Sequence, residues 1–312
     1  MDVQIAQILY QAIDDSLKST IATGTANLMA ATGVIFGTFW LISLTIKSIY
    51  WLFQGLDVIF QDLLLSIGKA SFIIFFAFNV GWYLNTIVPI VNELPNGVTQ
   101  LLSASGQPQT NQVDAAISTF FEAVGSIIGA MEFSIWDEIG AFLLGILGLV
   151  FFLAGGLPFL LICVGTLITL KTASSILLVV GPVFIIFSLY DNTRQWFFGW
   201  LSVICGFMLT QIFFGIVITM QFNFINNFIL NEGKLDTTLL GCFTTLIVFG
   251  AFTMLATELP TYAASIMGGA PSGGVGGVGG LLGRTMGTRA AGGMSRAVGR
   301  KILSMRNRNK IS

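Results

Sequence analysis

The feature that most limits this chain is how far it runs without a charge. Between consecutive charged residues lie the windows Ser19–Ile46, Ala70–Asn92, Ile139–Leu170, Thr172–Tyr190, Gln195–Asn231 and Thr237–Thr257. Most exceed the roughly 20 apolar residues needed to cross a hydrocarbon core about 30 Å thick. A soluble domain carries about 25% charged residues. This chain has 9%, with 54% hydrophobic residues and a mean hydropathy of +0.86. The expected fold class is all-α, a polytopic integral membrane helical bundle.

The N-terminal run differs from a secretory signal, which places cations ahead of its apolar stretch; here the first cation is Lys18. Ile5, Leu9, Ile13 and Leu17 recur at helical spacing, with Gln4, Gln7, Asp14 and Asp15 mostly on other faces. Residues 1–24 therefore read as an amphipathic helix on the membrane or against a partner, or as a solvated extension of the bundle. Cys163, Cys205 and Cys242 lie inside apolar windows without CxxC spacing, and the chain has no histidine. They read as small packing residues, and no metal or cofactor is expected.

Orientation follows from where Lys and Arg remain, because cytoplasmic loops retain them. From Ala70 to Leu170 there is none, while Glu93, Asp114, Glu122, Glu132, Asp137 and Glu138 cluster within residues 93–138. That acidic loop is expected on the periplasmic side. After the last span, Arg284, Arg289, Arg296, Arg300, Lys301, Arg306, Arg308 and Lys310 follow with no acidic residue among them, which places residues 261–312 in the cytoplasm.

These anchors bear on Thr172–Tyr190, which Gly181-Pro182 divides. If it crosses as a sixth span, Lys18 and Arg194 are cytoplasmic, whereas Lys47, Lys69, Lys171 and Lys234 are outside. If it enters and returns, Lys47, Lys69, Lys171 and Arg194 are inside and only Lys18 and Lys234 are outside. Charge favours the second arrangement: about five transmembrane helices plus a broken re-entrant hairpin. Proline supports the break, since it removes a backbone donor and clashes with the preceding turn at about 3 kcal/mol. A proline-kinked span remains the alternative.

The expected order is an N-terminal helix (1–24), two spans near Asn27–Ile46 and Lys69–Val91 within residues 25–92, and the acidic loop. A transmembrane core over 139–260 follows, with a third span inside Ile139–Leu170 interrupted at Gly155-Gly156-Leu157-Pro158. Then come the broken hairpin, spans near Gln195–Phe222 and Thr237–Thr257, and the tail. Trp40, Trp51, Trp82, Tyr83, Trp136, Trp196 and Trp200 fall near span ends, where amphipathic rings favour the interface.

Candidate assembly residues concentrate around this hairpin. Lys171 reads as a topology anchor whose stem snorkels to the cytoplasmic edge, or as a buried ion site. Asp191 and Arg194, three apart, could pair in a helical turn. With Trp196 and Trp200 they form either a docking surface for a cytoplasmic partner or a charged turn with an aromatic belt. Gly33-x-x-x-Gly37 and Gly125-x-x-x-Gly129 permit close helix approach. Val113, Ile117, Phe120, Val124, Ile127 and Ile128 give the acidic loop a helix whose apolar face needs a partner or the bilayer. In the tail, "GGAPSGGVGGVGGLLG" is linker-like. Arg284, Arg289, Arg296, Arg300 and Lys301 suit attachment to membrane lipids better than nucleic acid, because stacking aromatics are missing. No phosphate-binding G-x-x-x-x-G-K-[ST] motif and no acid–base constellation occurs, so the chain reads as no enzyme but a conduit or scaffold powered elsewhere.

The run "KTASSILLVVGPVFIIFSLYDNTRQWFFGWL" and the closing "ELPTYAASIMGG" before a glycine-rich tail resemble the TrbL/VirB6 family of polytopic inner-membrane subunits of bacterial type IV secretion systems. The residue-level likeness runs over Lys171, Gly181, Pro182, Arg194, Trp196 and Trp200. The resemblance implies a channel or platform in conjugative DNA or protein translocation and pilus assembly. It also implies a homo-oligomeric ring, a pentamer being one option. The implied partners are pilin or stalk subunits, a bitopic envelope scaffold protein and separate secretion ATPases, with single-stranded DNA or protein in transit. The alternative is a secondary transporter, in which a helix broken at Gly181-Pro182 binds substrate at midplane.

Overall fold

The structure, a computed structural model, describes residues 5–51, 53, 56–102, 112–130, 139–225, 227, 230–231, 234–235 and 239–268. Its helices are α1 (Ile5–Trp51), α2 (Leu56–Phe78), the short α3 (Val80–Trp82), α4 (Val88–Leu102), α5 (Gln112–Ala130), α6 (Ile139–Phe187), α7 (Arg194–Phe224) and α8 (Leu239–Ile266), with a π turn (Tyr83–Ile87) between α3 and α4. A minimal antiparallel pair, β1 (Leu230–Asn231) and β2 (Lys234–Leu235), sets Leu230 opposite Leu235 and Asn231 opposite Lys234. Helices α1, α2, α6, α7 and α8 each contain a stretch long and apolar enough to cross a bilayer. The all-α class is found, and among the described residues the helices able to span a bilayer number five, as charge placement led one to expect.

Helix α6 corrects the expected path. It has 49 residues, about 74 Å at the helical rise, and runs without interruption through Gly155-Gly156-Leu157-Pro158 and through Gly181-Pro182. No re-entrant hairpin forms at Gly181-Pro182; the chain reverses after Phe187, in turns over residues 188–193. The count of five survives because the segment expected to dip and return is the C-terminal third of a helix already counted. The transporter alternative loses the broken helix on which it rested.

Other boundaries move too. The helix expected at residues 1–24 continues into the first span as α1. The second span is displaced toward the N-terminus: α2 ends at Phe78, and the discontinuity falls at Asn79 (φ −82°, ψ 85°), whose side-chain oxygen accepts the Trp82 N–H. Asparagine suits that place, since its short amide caps the N–H groups that a restarting helix leaves without intrahelical partners. The acidic stretch holds two docked helices: α5, where a helix was expected, and α4, which was not. Helix α4 buries Val88, Val91, Pro95 and Thr99 and packs along α7, and α5 lies on α6.

Helix α6 is the axis against which α1, α5, α7 and α8 pack. In a bilayer, helix association gains little from leaving lipid and depends on close van der Waals fit. Adjacent glycines supply that fit on two sides of α6. A Cβ at Gly155 would lie 2.8 Å from the Phe249 side chain of α8, and one at Gly156 would lie 2.5 Å from Phe120 of α5. The rings meet across this notch: Phe120 stacks on Phe152 at 5.2 Å and 22°, and Phe152 meets Phe249 edge-on at 5.2 Å. Ala116, Phe120, Ala123 and Ile127 are buried, so the partner that the apolar face of α5 requires is α6 of the same chain.

Helices α1 and α2 contrast with this core. Only 6% of each apolar window is buried, against 39% for α6 and for α7. Phe39, Leu41, Ile42, Ile49, Phe60, Leu65 and Phe72 remain exposed.

Candidate assembly site around Gly181 and Pro182

Proline at position 182 has no N–H, so the carbonyl four residues earlier, at Leu178, loses its helical donor. At membrane depth an unpaired carbonyl is expensive. Tyr83, the first residue of the π turn, supplies the missing donor: its hydroxyl donates to the Leu178 carbonyl at 2.7 Å. One residue earlier, the Leu177 carbonyl accepts from Trp200 Nε1 of α7 at 3.0 Å. Interhelical bonds of this kind average about 0.6 kcal/mol and reach about 1.7. Together they are of the same order as the proline penalty of about 3 kcal/mol. The helix therefore continues.

Gly181 makes room for both donors. A Cβ there would land on the Tyr83 hydroxyl and lie 2.8 Å from Trp200. Trp200 also stacks on Phe184 at 6.0 Å with the rings 6° from parallel. Tyr83, Leu178, Trp200 and Ile204 form one buried cluster with Ile21, Met29, Val88 and Val91. Four segments thus meet at one turn of α6: α1, the π turn with α4, α6 itself and α7.

Trp200 and Tyr83 were expected at the membrane interface, yet both are buried in this cluster. Their polar tips face carbonyls of α6, so a proline inside the bundle draws them inward. Tyr83 was not among the expected site residues. The only signal for it in the sequence is generic: a proline in an apolar helix calls for a donor, and Tyr and Trp are the apolar-bodied residues that carry one.

The remaining candidates separate. Lys171 is half-buried about two-thirds of the way along α6, and its carbonyl accepts from Ser174 and Ser175 Oγ, each at 2.9 Å. It lies two turns before Leu178 and outside the cluster. Asp191 does not form the expected pair with Arg194. It pairs with Lys69 of α2 at 3.9 Å, with both side chains well exposed. Arg194 extends its guanidinium over Phe198, 5.5 Å from the ring centroid. Trp196 is half-exposed and meets Phe187 edge-on at 5.0 Å. Thr193 Oγ1 donates to the Phe187 carbonyl at 2.8 Å, closing the turn between α6 and α7.

At the same end, Ser202 Oγ donates to the Met267 carbonyl, and Gly268 takes a positive φ of 69°. This is the left-handed cap that ends α8. The membrane-surface candidates Arg284, Arg289, Arg296, Arg300 and Lys301 lie outside the described residues.

Of the two glycine pairs, Gly33 is packed under Phe78, whereas Gly37, Gly125 and Gly129 have no neighbouring atom where a Cβ would go. Among the described residues no group of His, Cys, Asp and Glu is placed to hold a metal ion.

A family model described as "TrbL/VirB6 plasmid conjugal transfer protein" matches residues 40–259. That range takes in α2 to α7, most of α8 and the Gly181-Pro182 cluster apart from Ile21 and Met29 of α1. No curated protein matches the chain.

Proposed function

Because the chain belongs to the TrbL/VirB6 plasmid conjugal transfer family, and so to the components of type IV secretion and conjugation machines, we propose that it is their channel or platform subunit in the bacterial inner membrane. In this reading it forms a homo-oligomeric ring and supports translocation of single-stranded DNA or protein together with pilus assembly. Its partners are pilin or stalk subunits, a bitopic envelope scaffold and the ATPases that drive the machine; the chain itself is not an enzyme and binds no cofactor. The N-terminus and the acidic α4–α5 stretch face the periplasm, and the basic tail faces the cytoplasm.

The observation that carries the platform reading is the contrast in burial. The apolar windows of α1 and α2 are 6% buried, while α6 is tied to α7 at Leu177 and to the π turn at Leu178, with Gly181 packed under both donors. A rigid centre with an uncovered apolar flank suits a subunit that completes its packing against lipid and neighbouring copies. Lys171, Gly181, Pro182, Asp191, Arg194, Trp196 and Trp200 are the proposed assembly residues, with Gly181, Pro182 and Trp200 acting through internal packing and Asp191, Arg194 and Trp196 through the exposed turn.

The test is affinity purification from native membranes with identification of what co-purifies. Recovery with secretion ATPases and pilin, in an assembly larger than one copy, supports the reading. A lone monomer that moves a small solute in proteoliposomes overturns it.

A further inference from the structure

The chain changes helical register where it meets the Gly181-Pro182 cluster. In the π turn the Val88 N–H bonds to the Tyr83 carbonyl, five residues back instead of four. Such wide turns are rare, hold one residue more than an α-turn, and persist where other contacts hold them.

The geometry says what this one achieves. At 100° per residue, Tyr83 and Val88 would sit about 140° apart on a continuous α-helix. In the wide turn each residue rotates less, so five residues overshoot one revolution by only about 50° and the two lie on the same side. Both are buried, at 0% and 8% exposure, in the same cluster. On the near side, α4 continues the buried stripe with Val91, Pro95 and Thr99. A Cβ at Gly215 of α7 would overlap Thr99, so α4 has little freedom to rotate. On the far side, the discontinuity at Asn79 separates the wide turn from α2. Trp82, inside the segment, meets Phe76 of α2 edge-on at 4.4 Å, so a change of register there also releases that ring contact.

We propose that residues 79–88 form a register switch. In the engaged state seen here, the extra residue sits in the wide turn and Tyr83 is held on Leu178. In the other state the segment is a regular α-helix, the extra residue passes to the break at Asn79, and Tyr83 swings off α6. That second state leaves the Leu178 carbonyl without its donor and frees α6 to bend at Pro182. The switch thus couples the bend of α6 to the link between α2 and α4.

The test uses the full chain in lipid nanodiscs, and its readouts are structural, so failure leaves the family reading untouched. Deleting exposed Asn85 shortens the wide turn to an α-turn while keeping Tyr83 on the side of Val88. The expected outcome is a protein with a raised melting temperature, a buried Tyr83 and no second register. A lowered melting temperature with Tyr83 exposed to solvent overturns the proposal, because the wide turn would then be a packing requirement. Hydrogen exchange on Tyr83→Phe, which keeps the ring, gives an independent reading. Amides of residues 84–88 should exchange about tenfold faster or more, with those of residues 95–102 unchanged. Equal acceleration across both stretches, or none, also overturns it.

Discussion

The phenolic oxygen of Tyr83 donates a 2.7 Å hydrogen bond to the Leu178 carbonyl, the acceptor that Pro182 leaves without a donor. Sidewise donation of this kind is why a proline in mid-helix does not end α6. Replacing Tyr83 by Phe keeps the ring but leaves a buried carbonyl unpaired, which costs about 1–3 kcal/mol. Denaturant unfolding of the protein in nanodiscs should show a loss of that size; an unchanged midpoint would mean that water or another donor serves Leu178.

Gly181 and Pro182 should respond in opposite ways. Gly181→Ala drives a methyl into the Tyr83 hydroxyl and Trp200, an overpacking expected to cost about 1–3 kcal/mol or more. Pro182→Ala restores the N–H that pairs Leu178 within the helix, and its effect should stay within about 1 kcal/mol. Comparing recovery of assembled complex from the two variants checks the order; a harmless Gly181→Ala would refute the packing account.

Phe120 of α5 enters α6 through the space over Gly156. Gly156→Ala should loosen α5, making a cysteine placed at buried Ala123 reactive to maleimide. Trimming the ring with Phe120→Leu in the same chain should restore protection, since the two changes share one volume. Additive effects would show that the notch is not what docks α5.

The Lys69–Asp191 pair is exposed, and exposed pairs contribute about 0.2–1 kcal/mol, screened by salt. Asp191→Asn should shift stability by under about 1 kcal/mol, with the shift vanishing as salt is added. Arg194→Glu, at a side chain that lies over Phe198, should leave membrane insertion and melting intact and reduce co-purification of partners. A melting loss in Arg194→Glu would place that residue in the internal packing instead.

Asp114, in the first turn of α5 and outside the five spans, has a carboxylate oxygen buried without a partner. Burial raises its pKa above the ordinary 3.8. A folded pKa above the unfolded one contributes stability that is full below about pH 3.8 and is lost as pH rises through the raised value. Between those limits the wild type should therefore melt at progressively lower temperature as pH increases. Asp114→Asn should flatten that segment of the melting curve against pH and melt higher than wild type at neutral pH. A steeper segment in the variant would reverse the assignment.

Long uncharged windows and the scarcity of Lys and Arg were enough to settle the class and the five spans, because crossing a hydrocarbon slab is a demand on composition and length alone. The importance of Gly181-Pro182 was legible for the same reason: proline's missing N–H and glycine's missing Cβ are properties of the residues themselves. Whether that dipeptide reverses the chain or lets it pass was not legible. The proline penalty is local, but the donors that offset it come from Tyr83, 95 positions along the chain from Leu178, and from Trp200 on the next helix. The same holds for α5, whose apolar face could be read along the chain while its partner, the glycine notch on α6, could not. Contacts between distant segments depend on which faces the bundle brings together, and only the tertiary structure decided that α6 runs through its proline and that Tyr83 holds it there.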